Sequence, residues 1–152
     1  MKFVADEMLG KLAKWLRILG YDTLYIKNKD DNYLINSAFK EQRMLLTRDT
    51  AMVERKYIPQ YILIKSDNYL EQIKQIIGEY KIVPNRDMFF SRCLLCNSEI
   101  KPILKDDIKE KVPEYVYDTQ DNFLFCRKCG KIYWKGSHIE NAMKKIMELL
   151  VK

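Results

Sequence analysis

The sequence predicts an α/β fold built on a parallel sheet, followed by a smaller cysteine-bearing module. Three observations carry that expectation. Short apolar runs alternate with helical periodicities over about the first 90 residues. The composition is 47% hydrophobic and 32% charged, which fills a real core and excludes a disordered tail. The pattern breaks after Pro84-Asn85-Arg86-Asp87, and all four cysteines lie beyond that point.

Lys2-Phe3-Val4-Ala5 reads as the first strand. Met8 to Leu19 follows as a helix, with Leu9, Leu12, Leu16 and Leu19 at three- and four-residue spacing. Gly20 stands where a helix ends in the left-handed conformation. Thr23-Leu24-Tyr25-Ile26 is β-branched and aromatic, a second strand. Asp31 to Phe39 reads as helix, Arg43 to Thr47 as a third strand, and Thr50 to Lys56 as a short helix. Gln60 to Lys65 is the fourth strand, and Asp67 to Tyr80 an amphipathic helix. Phe89 to Trp134 shows short strands, turns and the cysteines. A last helix runs from about His138 to Leu150, with Ser137 and Glu140 spaced as a capping box. Its apolar face predicts that it packs back on a neighbour.

Twenty-seven Lys and Arg against twenty-one Asp and Glu leave a formal charge of +6, which leans toward a polyanionic partner. No apolar run approaches the roughly 20 residues that span a bilayer. Acids interrupt Met1-Lys2-Phe3-Val4-Ala5-Asp6-Glu7 before any signal stretch forms. The expectation is a soluble, cytoplasmic protein.

Cys93-Leu94-Leu95-Cys96 and Cys126-Arg127-Lys128-Cys129 are two C-x2-C pairs. Two such turns surround one Zn²⁺ with four thiolates at about 2.3 Å per sulfur. Asn97 and Gly130 follow the second cysteine of each pair, and both types tolerate positive φ. A redox dithiol would open a helix after a strand, and neither pair is set that way. Four thiolates close the coordination sphere, so this zinc is structural. The long spacer, residues 97–125, predicts a loop or hairpin extending from the site.

Asp6, Asp31 and Asp49 follow the first, second and third strands. In a parallel sheet they share the carboxyl edge, where open α/β sheets place their ligands. Gathered carboxylates repel by roughly 4 kcal/mol at about 4 Å and an effective dielectric of 20, so they need a cation, a captured proton or greater separation. Oxygen ligands favour Mg²⁺ or Mn²⁺. Each aspartate also precedes a helix, where Asp is a preferred cap, and capping does not exclude metal binding. Asp67 is a weaker fourth candidate.

Lys11, Lys14 and Arg17 recur every three residues on the first helix, either as a solvated face or as counter-charges for phosphates. Arg48 adjoins Asp49 and can contact a phosphate or pair with an acid. Phe89-Phe90-Ser91-Arg92 and Tyr133-Trp134-Lys135 mix rings with cations; bases stack on such rings, but beside a small metal site they form its core. His138 is the one histidine, placed for exposure more than for catalysis. No phosphate-binding glycine loop is present.

Asp6 to Arg17 (DEMLGKLAKWLR) followed by Leu19-Gly20-Tyr21-Asp22-Thr23 resembles the opening of the PIN-like Mut-seven C-terminal RNase family. Leu45-Leu46-Thr47-Arg48-Asp49 resembles its second signature. Ser91-Arg92-Cys93 with Cys96-Asn97, and Cys126 to Cys129 leading into Tyr133-Trp134-Lys135-Gly136-Ser137-His138, resemble its third. The likeness covers essentially the whole chain. It implies a PIN-like α/β nuclease fold with a zinc ribbon, and endoribonuclease activity dependent on a divalent metal. It matches Asp6, Asp31 and Asp49 to the acidic positions of a PIN site, with Asp30 able to replace Asp31.

The resulting organisation is a PIN-like domain over 1–88, a zinc ribbon over 89–136 and a C-terminal helix over 137–152. The expected function is RNA hydrolysis at Asp6, Asp31 and Asp49 with Mg²⁺ or Mn²⁺. Lys11, Lys14 and Arg48 would hold the substrate, and Cys93, Cys96, Cys126 and Cys129 the structural Zn²⁺. The ribbon would grip RNA or a protein partner. The rival expectation is a non-catalytic RNA- or protein-binding module in which the aspartates only cap helices.

Overall fold

Strand β1 (Lys2–Ala5) is one of the two inner strands of the first sheet. The computed structural model describes residues 1–151, which form two compact units, Met1–Asn97 and the residues from Ser98 onward. In the first unit β1 is joined by β2 (Asp22–Tyr25), β3 (Met44–Thr47) and β4 (Tyr61–Leu63). The order is β2-β1-β3-β4 and every pairing is parallel, with Val4 opposite Leu24 on one side and Leu45 on the other. Helices α1 (Gly10–Ile18), α2 (Asp31–Glu41), α3 (Thr50–Val53) and α4 (Tyr69–Tyr80) connect and flank the strands. The expected parallel α/β sheet is present.

Continuous apolar strands are what a sheet covered on both faces requires. Phe3, Val4, Ala5, Leu45 and Leu46 are all fully buried. Val4 and Leu45 pack with Leu34, Ile35 and Ala38 of α2 and with Met52 of α3. Helix α1 packs on α4, where Trp15 stacks on Tyr69 at 5.5 Å.

Helix ends follow the local chemistry. The amide of Gly20 donates to Arg17 O and that of Tyr21 to Leu16 O, and Gly20 has φ +92, a Schellman close. A Cβ on Gly20 would stand 2.3 Å from the Met88 carbonyl oxygen. Helices α2 and α4 end instead on left-handed Gln42 (φ 53) and Lys81 (φ 49). The first helix starts later than its periodicity suggests, because Asp6 caps a 3-10 turn over Glu7–Leu9 that precedes it.

In the second unit β5 (Lys101–Ile103), β6 (Phe123–Phe125) and β7 (Ile132–Tyr133) form an antiparallel sheet in that order. The spacer between the cysteine pairs is more than a loop or hairpin. It folds a 3-10 turn (Lys105–Ile108) and helix α5 (Glu114–Thr119) between β5 and β6. Ile108, Val116 and Phe123 are buried there, with Ile132 and Trp134 packed against them. Trp134 meets Phe123 edge-on at 6.4 Å, so this ring serves the core.

Helix α6 (Ser137–Val151) closes the chain. The expected capping box is displaced: Ser137 lies within the helix, and the Gly136 carbonyl accepts the Glu140 amide at 3.1 Å. His138 is exposed on the first turn. Among the described residues no helix is long and apolar enough to cross a membrane.

Candidate functional site

The strand order makes β1 and β3 the point from which the chain departs in opposite directions, to β2 on one side and to β4 on the other. At such a point the loops leaving the carboxyl ends separate and leave a crevice. Asp6 follows β1 directly, and Asp49 lies two residues beyond β3.

Asp6 is 5% exposed. Its Oδ1 accepts the Met8 amide at 3.0 Å, and its Oδ2 accepts the Thr47 hydroxyl at 2.6 Å. The same Thr47 oxygen accepts the Asp49 amide at 3.0 Å. A hydroxyl both donates and accepts, so Thr47 ties the buried carboxylate of Asp6 to the backbone of Asp49 in a directed chain. Asp49 is half-buried, and its Oδ1 accepts the amides of Ala51 (2.9 Å) and Met52 (3.3 Å). The cap uses one carboxylate oxygen and leaves the other for a ligand.

Asp30 caps α2 through the Tyr33 amide at 2.9 Å. Asp31 sits inside the first turn, where Oδ2 lies 3.2 Å from Arg55 Nη2. Both side chains of that pair are more than a third exposed, so the pair adds little stability. Asp67 is exposed, and its neighbour Asn68 caps α4 in its place.

Tyr25 closes one side of this edge. Its hydroxyl donates to the Glu7 carbonyl at 2.7 Å, and its ring lies over Gly10, where an added Cβ would stand 2.8 Å from the phenol oxygen. Burial, then the charges of Glu7 and Asp6, raise the Tyr25 phenol above its ordinary value.

The basic residues divide. Lys11 and Lys14 are exposed on α1, with Lys11 Nζ 4.4 Å above the Tyr69 ring, and Arg48 is half-buried. Arg17 departs from the solvated stripe that spacing suggests. It is buried, donating from Nε to Thr23 O (2.9 Å) and from Nη1 to Leu94 O (2.7 Å).

The four cysteines form the second candidate site. One ligand atom from each of Cys93, Cys96, Cys126 and Cys129 lies within 4.8 Å of the others. Among the described residues this is the group of three or more His, Cys, Asp or Glu gathered so closely; Asp6, Asp31 and Asp49 are not. The two turns match. The Asn97 amide donates to Cys93 O at 2.9 Å and the Gly130 amide to Cys126 O at 2.8 Å, with φ 69 and 76. Tetrahedral zinc needs sulfurs about 3.8 Å apart, a small adjustment from this cluster. The residues fit zinc.

Sequence reasoning missed two features. Thr47 is a fully buried polar residue within an apolar strand, and that contrast was the available signal. Asp22 is the other: its Oδ1 accepts from Arg43 (2.7 Å) and Asn97 (2.6 Å), partners far away in the chain.

A model of the Mut7-C RNAse domain family matches residues 1–146. No curated protein and no solved structure matches the chain.

Proposed function

The chain belongs to the Mut7-C RNase domain family, and from that premise we propose that it is a metal-dependent ribonuclease acting at the carboxyl edge of the parallel sheet. The observation that supports this reading is the Asp6–Thr47–Asp49 chain, in which one hydroxyl at the switch point donates to the Asp6 carboxylate and accepts the Asp49 backbone amide. Asp31, or its neighbour Asp30, is the third acid of this reading; it follows the loop after β2 and would have to leave Arg55 to join the other two on a metal.

Mg²⁺ or Mn²⁺ held by Asp6, Asp31 and Asp49 would supply a water of lowered pKa and offset charge developing on the phosphate. Thr47 and the Met8 amide each hold one oxygen of the Asp6 carboxylate and so fix its orientation. Lys11, Lys14 and Arg48 would hold neighbouring phosphates without reading sequence. The four cysteines hold structural zinc, and the module around them extends the surface that meets RNA or a protein partner. The domain limits proposed are 1–88 for the nuclease, 89–136 for the ribbon and 137–152 for the closing helix, in a cytoplasmic protein.

The caps formed by Asp6 and Asp49 favour a second reading, a non-catalytic RNA- or protein-binding module. One experiment separates the two. Cleavage of labelled RNA in Mn²⁺ is compared for wild type, Asp6→Asn and Asp49→Asn, with folding checked by circular dichroism. Loss of cleavage in folded variants supports the nuclease; RNA binding without cleavage in all three supports the module.

A further inference from the structure

Strand β2 is an outer strand, and Thr23 is one of its residues whose backbone N–H and C=O point away from β1. Unpaired groups on such an edge are normally met by water or by another strand. Here two side chains meet them. Asn97 Oδ1 accepts the Thr23 amide at 2.9 Å, and Arg17 Nε donates to the Thr23 carbonyl at 2.9 Å.

Both side chains also grip the first cysteine turn. Asn97 closes it, donating its own amide to Cys93 O at 2.9 Å from φ 69. Arg17 Nη1 donates to Leu94 O at 2.7 Å, within the turn. Asn97 Nδ2 donates to Asp22 Oδ1 at 2.6 Å, and Arg92 Nη1 donates to Asn97 O at 3.1 Å while lying 3.9 Å from Asp22 Oδ2. Thr23 is completely buried and Asn97 6% exposed, so water does not replace these bonds while the turn is in place.

We propose that Asn97 is a positioning residue of the cysteine site, and that through it metal binding at Cys93 and Cys96 is transmitted to strand β2. Bound metal fixes the turn in the one shape that holds Asn97 at positive φ with its side chain on Thr23 and Asp22. Without metal the two thiols separate, the turn relaxes and the β2 edge loses its amide partner. Outer-shell partners of this kind orient ligands and tune affinity. Metal binding and local folding are then one equilibrium.

The proposal rests on the metal reading of the cysteines and not on nuclease activity. The test uses the full chain, titrated with Co²⁺ and Zn²⁺ to count bound metal, and hydrogen exchange read amide by amide. The chain is wild type or Asn97→Gly, which keeps the turn's freedom at positive φ but deletes the side chain. Wild type should bind about one metal per chain, and Thr23 should exchange at least about tenfold faster after chelation. Asn97→Gly should bind metal about tenfold more weakly, with Thr23 unprotected even when loaded. The amides of Val4 and Leu45 serve as internal reference for global opening. Equal Thr23 protection in loaded and stripped wild type overturns the proposal while leaving the metal site standing. So does an unchanged Thr23 in loaded Asn97→Gly, a comparison that decides the matter even where the stripped chain unfolds. A wild type that takes up no metal overturns the metal reading and the proposal together.

Discussion

The hydroxyl of Thr47 lies 2.6 Å from Oδ2 of Asp6, between the carboxyl ends of adjacent parallel strands. The bond is charge-assisted, and Thr47 is fully buried. Thr47→Val keeps the branched strand side chain but removes both the donor for Asp6 and the acceptor for the Asp49 amide. It should destabilise by about 2 kcal/mol and lower Mn²⁺-dependent cleavage. Thr47→Ser should retain most of both. Denaturant melts and cleavage rates on the pair check this.

Gly20 combines a left-handed backbone with a carbonyl pressed against its α-carbon. Gly20→Ala adds a methyl where Met88 O stands and cannot be accommodated by a side-chain rotation. A loss of about 2–4 kcal/mol is expected, measured by urea denaturation, with the segment around Met88 losing exchange protection first.

Gln42 and Lys81 occupy left-handed positions at the ends of α2 and α4 without being glycine. Relief of that strain should make Gln42→Gly and Lys81→Gly each stabilising, by up to about 1 kcal/mol. Their melting temperatures should rise, and the double variant should gain close to the sum.

Asp22 controls a pH dependence. Burial alone would raise its carboxyl, but hydrogen bonds from Arg43 and Asn97 and the charges of Arg43 and Arg92 hold it below the ordinary value. The folded value lies below the unfolded one. Its stabilisation is therefore fully present above the ordinary carboxylate range and disappears as pH falls through the folded value. Asp22→Asn should be destabilising at pH 7, and the gap from wild type should close as the pH is lowered below about 4. Asp22→Ala leaves the buried Arg43 with Glu41 as its remaining carboxylate partner and should cost about 2 kcal/mol at pH 7. Melts across pH on the three chains measure both effects.

The strands and helices of the first unit were legible because each buries one apolar pattern, and Gly20 was legible because a left-handed close favours glycine. Boundaries slipped where a side chain settled them, as when Asp6 started a 3-10 turn or Asn68 took the cap from Asp67. The cysteine turns were readable down to the positive φ of Asn97 and Gly130, since local spacing fixes them. The other work of Asn97 was not, because its partners Asp22 and Thr23 lie more than 70 residues away. Arg17 misled for the same reason: periodicity places it beside Lys14, but only tertiary structure shows the carbonyls it serves. Helix α5 escaped because its short apolar pattern has no side-chain cap to announce it.

The parallel sheet ends at β2 with side chains standing where a fifth strand would lie. An open rim of peptide groups invites a second copy of the molecule to dock along it and start a growing stack. Stoppered by an amide and a guanidinium, the rim at Thr23 has neither group free for a neighbour. The same few atoms that steady a loop thus also blunt this rim at its middle.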